Sequence, residues 1–169
     1  EGGEFSLEGD EGSQNISALL MALPLCHNDS EIKLNSAIVD DSFIKLTIDS
    51  LKAFGINIEK TETGFNIKGR QFYKSPGTIT CENDWGLAAM WITAGAASEG
   101  DNNLVTVNRL PKNSHQKYRD ISGPITFIHY DYQEMDINAK DCPNLATLFA
   151  SLSIVKGATM EISGIPQLK

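Results

Sequence analysis

Gly12-Ser13-Gln14-Asn15-Ile16-Ser17-Ala18-Leu19-Leu20-Met21-Ala22-Leu23-Pro24-Leu25 is the stretch whose reading decides the fold. Ile16, Leu19, Leu20 and Leu23 recur at helical spacing and form one apolar face. Ser13 is suited to the N-cap position. A strand-like run, Phe5 to Leu7, comes before it, joined by the acidic, glycine-bearing turn 8–12. The local order is therefore strand, small-residue turn, helix. Such a helix start offers free N–H groups and a partial positive charge to a phosphate or carboxylate. The same residues also suit an ordinary capped core helix.

The outline recurs along the chain. A first copy runs from strand Phe5–Leu7 through Asp10 and helix Ser13–Leu23 to strand Glu31–Asn35. A second runs from strand Thr78–Cys81 through Asp84 and helix Trp85–Ala97 to strand Leu104–Asn108. A third runs from strand Glu134–Asn138 through Asp141 and helix Pro143–Val155 to strand Thr159–Ser163. Repeated supersecondary units imply an architecture built by stacking them. After the first copy, Phe43, Ile44, Leu46, Ile48 and Leu51 predict a further one-sided helix over 40–54, stopped at Gly55. Ile56–Glu59 and Gly64–Lys68 then read as a hairpin about 61–63. The second copy lacks its corresponding helix. Residues 112–121 pass through Ser122-Gly123-Pro124 directly into a predicted strand, Ile125–Tyr130. An element of about 10–15 residues is absent by comparison, which points to a missing segment near 120–122.

Composition narrows the class. The chain has 169 residues and is 41% hydrophobic, enough for a sizeable core. Its longest apolar run, 16–26, is broken by Ser17 and Pro24 and falls short of the roughly 20 residues of a membrane span. The acidic start, 1–4, lacks the order of a signal peptide. Cys26, Cys81 and Cys142 are odd in number, widely spaced and without a Cys-x-x-Cys, so they read as buried thiols of a reducing, cytoplasmic compartment. A net charge of −8 with no basic cluster argues against nucleic acid. Asp131, Glu134 and Asp136 suggest a hard-metal site or, more simply, a solvated strand face. His27, His115 and His129 have no ligand spacing. No metal is expected, and the sequon at Asn15-Ile16-Ser17 falls inside a helix.

The run Ser-Gln-x-x-Ser-Ala-Leu-Leu-Met-Ala-Leu-Pro-Leu at 13–25 closely resembles the Ser-Ser-Gln helix of the EPSP synthase family, within the enolpyruvyl transferases. The resemblance implies an α+β fold of repeated βαβαββ units shared between two lobes. Residues 1–76 would be the last unit of one lobe, and residues 77–169 would be incomplete units of the second, with the crossing near 74–79. It implies transfer of an enolpyruvyl group from phosphoenolpyruvate to a hydroxyl of shikimate 3-phosphate, without a cofactor. The intact protein is expected to be a cytoplasmic monomer whose partners are these small molecules, without nucleic acid or membrane. A second reading is a catalytically inactive relative kept as a binding or assembly module. A third is UDP-N-acetylglucosamine enolpyruvyl transferase, which the 13–21 run and the Pro-Asn helix start argue against.

Carried over residue by residue, the resemblance gives a mixed site. Ser13 and Gln14 match the family's second Ser and its Gln, which hold the phosphorylated substrate, and Gly12 replaces the first Ser. Segment 38–47 aligns without a gap on the next substrate-binding segment. It places Asp40 where the family has a phosphate-binding Ser and Phe43 where it has a Tyr. Like charges so close in a partly desolvated site repel by an amount on the order of kcal/mol, whereas Asp40 also suits a helix N-cap. Asn144 occupies the position of the family's catalytic Asp, and an amide cannot take up the ring-hydroxyl proton. Asp141 is a nearby substitute or a helix cap. Asp84 and Gly86 align with the family's second-lobe Asp and Ser, and Gln116 with the Gln of Asn-Ser-x-Gln, giving a further candidate substrate-binding residue. The final residues, 164–169, resemble the approach to a Lys-Glu pair that serves phosphoenolpyruvate chemistry. The cationic segments that bind phosphoenolpyruvate in the family have no counterpart in these residues.

Overall fold

The computed structural model describes residues 1–10, 12–38, 40–98, 105–117, 134–140 and 142–165. The chain divides into two units, 1–80 and 81–169.

In the first unit the order is β1 (Glu4–Leu7), α1 (Ser13–Ala22), β2 (Ser30–Leu34), α2 (Ser42–Ala53), β3 (Ile58–Lys60) and β4 (Gly64–Ile67). One helix joins the parallel pair β1 and β2, in register Phe5 to Ile32 and Leu7 to Leu34. β4 runs antiparallel to both β2 and β3, giving the sheet order β1-β2-β4-β3. The strands alternate, so Phe5, Leu7, Ile32, Leu34, Phe65 and Ile67 turn to one face. Ile16 and Leu20 of α1 and Ile44 and Leu51 of α2 are buried on that face, at 0–4% exposure. The other face carries Glu4, Glu31, Lys33, Glu59 and Asn66, and the Lys33 ammonium lies 3.2 Å from Glu4 and 3.4 Å from Glu31. Both helices therefore cover one side of a sheet whose second side is polar.

Local chemistry ends each helix. After α1 the chain tightens into one 3₁₀ turn, Leu23–Leu25, because Pro24 has no N–H for the α ladder. α2 closes with a Schellman pair of bonds. The Gly55 N–H donates to Lys52 O (3.0 Å) and the Ile56 N–H to Leu51 O (2.9 Å), while Leu51 and Ile56 share the core. The following segment runs back over the unit. Arg70 and Gln71 N–H donate to the carbonyls of Cys26 and Pro24, and the Tyr73 hydroxyl to Met21 O at 2.7 Å.

The second unit contains α3 (Trp85–Ala97), β5 (Glu134–Asn138), α4 (Ala146–Lys156) and β6 (Thr159–Ser163). β5 and β6 pair in parallel, Ile137 beside Ile162, and the 3₁₀ turn Pro143–Leu145 leads into α4. Ala89, Ala96, Ile137, Leu145, Phe149 and Leu152 form its core.

Among the described residues the fold is mixed α/β, with four helices and two sheets. The strands predicted over 78–81 and 105–108 are not formed. Residues 78–81 are exposed throughout, and among the described residues no strand pairs with them. Of the three cysteines expected to be buried only Cys142 is, since Cys81 lies on this exposed stretch and Cys26 is half-buried. Val105 is likewise 40% exposed. Leu104, the predicted strand 125–130, the break near 120–122, His129, Asp131 and Asp141 lie outside the described residues.

Candidate functional site

Parallel pairing puts the carboxyl ends of β1 and β2, and hence the starts of α1 and α2, at one end of the first sheet. Open α/β sheets bind ligands outside such strand ends. The two loops there are joined by side chains. The Gly9 N–H donates to Ser36 Oγ (2.8 Å), the Ser36 hydroxyl to Asp10 Oδ1 (3.0 Å), and Asn35 Nδ2 to Glu8 Oε1 (2.9 Å). One turn into each helix, the Ser17 and Thr47 hydroxyls lie 3.0 Å apart. The structure thereby brings Gly12, Ser13 and Gln14 to the same sheet end as Asp40 and Phe43. A groove of about 410 Å³ flanks this end, lined by Leu34, Ser36, Ile38, Asp41, Lys60 and Phe65.

The start of α1 differs from expectation by one residue. Gly12, not Ser13, is the N-cap, and Ser13 is the first helical residue. The cause is the Gly12 backbone, at φ +107° and ψ 151°, a region held almost only by glycine. Gly12 supplies no capping side chain. The first-turn amides of α1 therefore receive no side-chain cap from their N-cap residue, beside a half-exposed Ser13 and an exposed Gln14.

α2 begins at Ser42 with Asp41 as N-cap, whereas Asp40 is the residue suited to that place by sequence. Asp40 nonetheless caps from one position earlier: its Oδ1 accepts the Ser42 N–H at 2.9 Å and also the Ser42 hydroxyl. An Asp side chain reaches the backbone two residues on, which explains the shift. Asp41 instead meets Lys45 at 2.8 Å, one turn along. Phe43 is 42% exposed at the surface of α2.

The helix start in the second unit is closed. Asp84 Oδ1 accepts from Gly86 N (2.6 Å) and Leu87 N (3.1 Å). Gln116, only 6% exposed, accepts the Trp85 N–H at 2.7 Å through Oε1. Its Nε2 donates to Glu82 Oε1 (2.7 Å) and Asn83 O (3.1 Å). Both amide hydrogens of Gln116 are thus engaged within the protein. Asn144 lies in the 3₁₀ turn before α4, and its side chain is outside the described residues.

Sequence reasoning passed over Ser17, Ser36, Ser42 and Thr47. Ser17 carried a signal, as a hydroxyl next to Ile16 in an otherwise apolar helical run. Ser36 carried none, because its partners lie 26 and 27 residues away. Among the described residues, no group of three or more His, Cys, Asp or Glu side chains is placed to hold a metal ion. No helix there is long and apolar enough to cross a membrane.

The profile of the EPSP synthase family, described as EPSP synthase (3-phosphoshikimate 1-carboxyvinyltransferase), matches residues 1–168. Three relatives carry the name 3-phosphoshikimate 1-carboxyvinyltransferase. The protein of Clostridium perfringens (strain SM101 / Type A) is 33% identical over 97% of this chain and 42% of its own length. That of Methanococcus aeolicus is 34% identical over 92% of this chain and 40% of its own. That of Photorhabdus laumondii is 40% identical over 68% of this chain and 26% of its own. The chain thus spans about two-fifths of the length of the first two relatives.

Proposed function

Since this chain belongs to the EPSP synthase family, we propose that the intact protein transfers the enolpyruvyl group of phosphoenolpyruvate to shikimate 3-phosphate. The ring hydroxyl oxygen bonds to the vinyl carbon, and inorganic phosphate leaves. The observation that carries the reading is the start of α1 at the carboxyl end of a parallel strand pair, with a glycine as N-cap and Ser13 and Gln14 upon it. The phosphate of shikimate 3-phosphate is held there by the first-turn N–H groups and the Ser13 hydroxyl, with Gln14 alongside. Loss of a Ser at Gly12 removes a hydroxyl but keeps a backbone N–H. Two donors of Ser42 turn Asp40 Oδ1 to capping α2, while its charge still opposes a nearby phosphate. Phe43 offers an apolar edge to the ring. Gln116 acts indirectly, by holding the start of α3. Residues 1–76 belong to one lobe and 77–169 to the other, built from repeated βαβαββ units. The βαβ order of β1-α1-β2 and of β5-α4-β6 supports this division.

The second reading is a family member that binds without turnover. Asn144 favours it, because a carboxamide cannot serve as the base at that position. Steady-state phosphate release by the intact protein, from phosphoenolpyruvate with shikimate 3-phosphate, separates the two. Turnover at ordinary rates excludes the non-catalytic reading. Tight binding of shikimate 3-phosphate with no release of phosphate excludes the enzyme. The 169-residue chain alone is expected to bind shikimate 3-phosphate weakly and to turn nothing over.

A further inference from the structure

Ser36 stands apart from every residue that the family resemblance singles out. It is half-buried just beyond the end of β2 and makes two bonds across to the loop after β1. It accepts from Gly9 N–H at 2.8 Å and donates to Asp10 Oδ1 at 3.0 Å. The hydroxyl is therefore used in both directions, as acceptor and as donor. The two backbones also close on each other. A Cβ at Gly9 would stand 2.4 Å from the Ser36 carbonyl oxygen, so only glycine allows this approach. Asn35 adds a third link, from its amide to Glu8 at 2.9 Å. The chain after β1 is thus held at Glu8, Gly9 and Asp10, shortly before Gly12, whose φ of +107° suits glycine and from which α1 departs. The Gly12 N-cap gives α1 no side-chain cap, so the direction of its first amides depends on where the preceding residues are held.

We infer that Ser36 is a positioning residue for the α1 substrate site, fixing through Gly9 and Asp10 where the Ser13 and Gln14 amides point. The inference rests on the reading that shikimate 3-phosphate binds at α1. Ser36 touches no substrate. Its contribution is preorganisation: the loop is already ordered when the phosphate arrives, so less of the binding free energy goes into ordering it. A threonine at this position keeps the oxygen and both bonds, whereas alanine loses them.

The test uses the 169-residue chain with uniform ¹⁵N labelling, as wild type, Ser36→Ala and Ser36→Thr, titrated with shikimate 3-phosphate to millimolar concentration. In wild type the Ser13, Gln14 and Asn15 amide resonances should shift on titration. Ser36→Ala should weaken that binding about five- to tenfold and speed hydrogen exchange at Gly9 by at least tenfold. Its denaturation midpoint should change little, and Ser36→Thr should restore both readouts. Wild-type affinity in Ser36→Ala, with the α1 amides still responding, overturns the positioning role and leaves the substrate site standing. A wild-type chain whose α1 amides do not respond overturns the substrate reading and this inference with it. In that case Gly9 exchange still reports whether the brace itself exists.

Discussion

Ser17 of α1 and Thr47 of α2 place their hydroxyl oxygens 3.0 Å apart, and Thr47 also bonds the Phe43 carbonyl at 2.8 Å. This is a polar contact between the two helices that start at the candidate site. Ser17→Ala removes one partner while Thr47 keeps its bond to Phe43. We expect a loss of about 1 kcal/mol, the ordinary net worth of a hydrogen bond. Thr47→Val should cost more, about 1–2 kcal/mol, because it leaves the buried Ser17 hydroxyl without Thr47. Urea denaturation of both single variants and the double variant measures the coupling. Strict additivity would show that the contact contributes nothing.

Restoring the family's serine at position 12 should harm this chain. Gly12 has φ +107° and ψ 151°, and a Cβ there would lie 2.7 Å from Gln14 Oε1. The side chain of Gln14 can move aside, but the backbone strain remains, at about 1–3 kcal/mol. Gly12→Ser is expected to lower stability by that amount and to weaken shikimate 3-phosphate binding by displacing Gln14. A more stable, tighter-binding Gly12→Ser chain would mean that this turn is not held in the conformation described.

Asp29 sets part of the acid response. The Lys68 ammonium, 2.7 Å away, and then the Gly69 N–H hold its carboxyl below the usual carboxylate range. Its folded pKa therefore lies below the unfolded value of about 3.9. The stabilisation is fully present above that value and is lost as the pH falls through the folded pKa. Asp29→Asn should reduce the drop in Tm between pH 6 and pH 3. An unchanged drop removes Asp29 from the response.

Gln116 closes the start of α3 through one carboxamide. Gln116→Ala leaves the Trp85 N–H and the Glu82 carboxylate without it, at an expected cost of about 2–3 kcal/mol. Trp85, whose indole N–H donates to Pro111 O at 2.9 Å, should lose part of its near-ultraviolet circular dichroism. Gln116→Glu should be worse at pH 7 than at pH 5, because its carboxylate would face Glu82. Equal stability of the Glu variant at both pH values would show that the two side chains part instead of meeting.

Sequence alone determined the elements that rest on periodicity and on local stops. Helix 85–97 and strands 134–138 and 159–163 formed over the predicted residues, and α2 ended at Gly55 because its closing bonds are local. The candidate site residues on α1 could be named because a run of adjacent side chains carried the family resemblance. Tertiary structure alone decided the rest. Thr78–Cys81 has the alternation of a strand but no partner among the described residues, and a strand exists only by pairing. Gly12 took the cap from Ser13 because its backbone stands at φ +107° and ψ 151°, a conformation that glycine alone adopts readily and that capping preference does not encode. Asp40, Asp10 and Gln116 could each be named from the chain, yet the partners of Asp10 and Gln116 stand 26 to 34 residues away. Hydrogen bonds at such separations depend on how the sheet and helices pack, which no local pattern encodes.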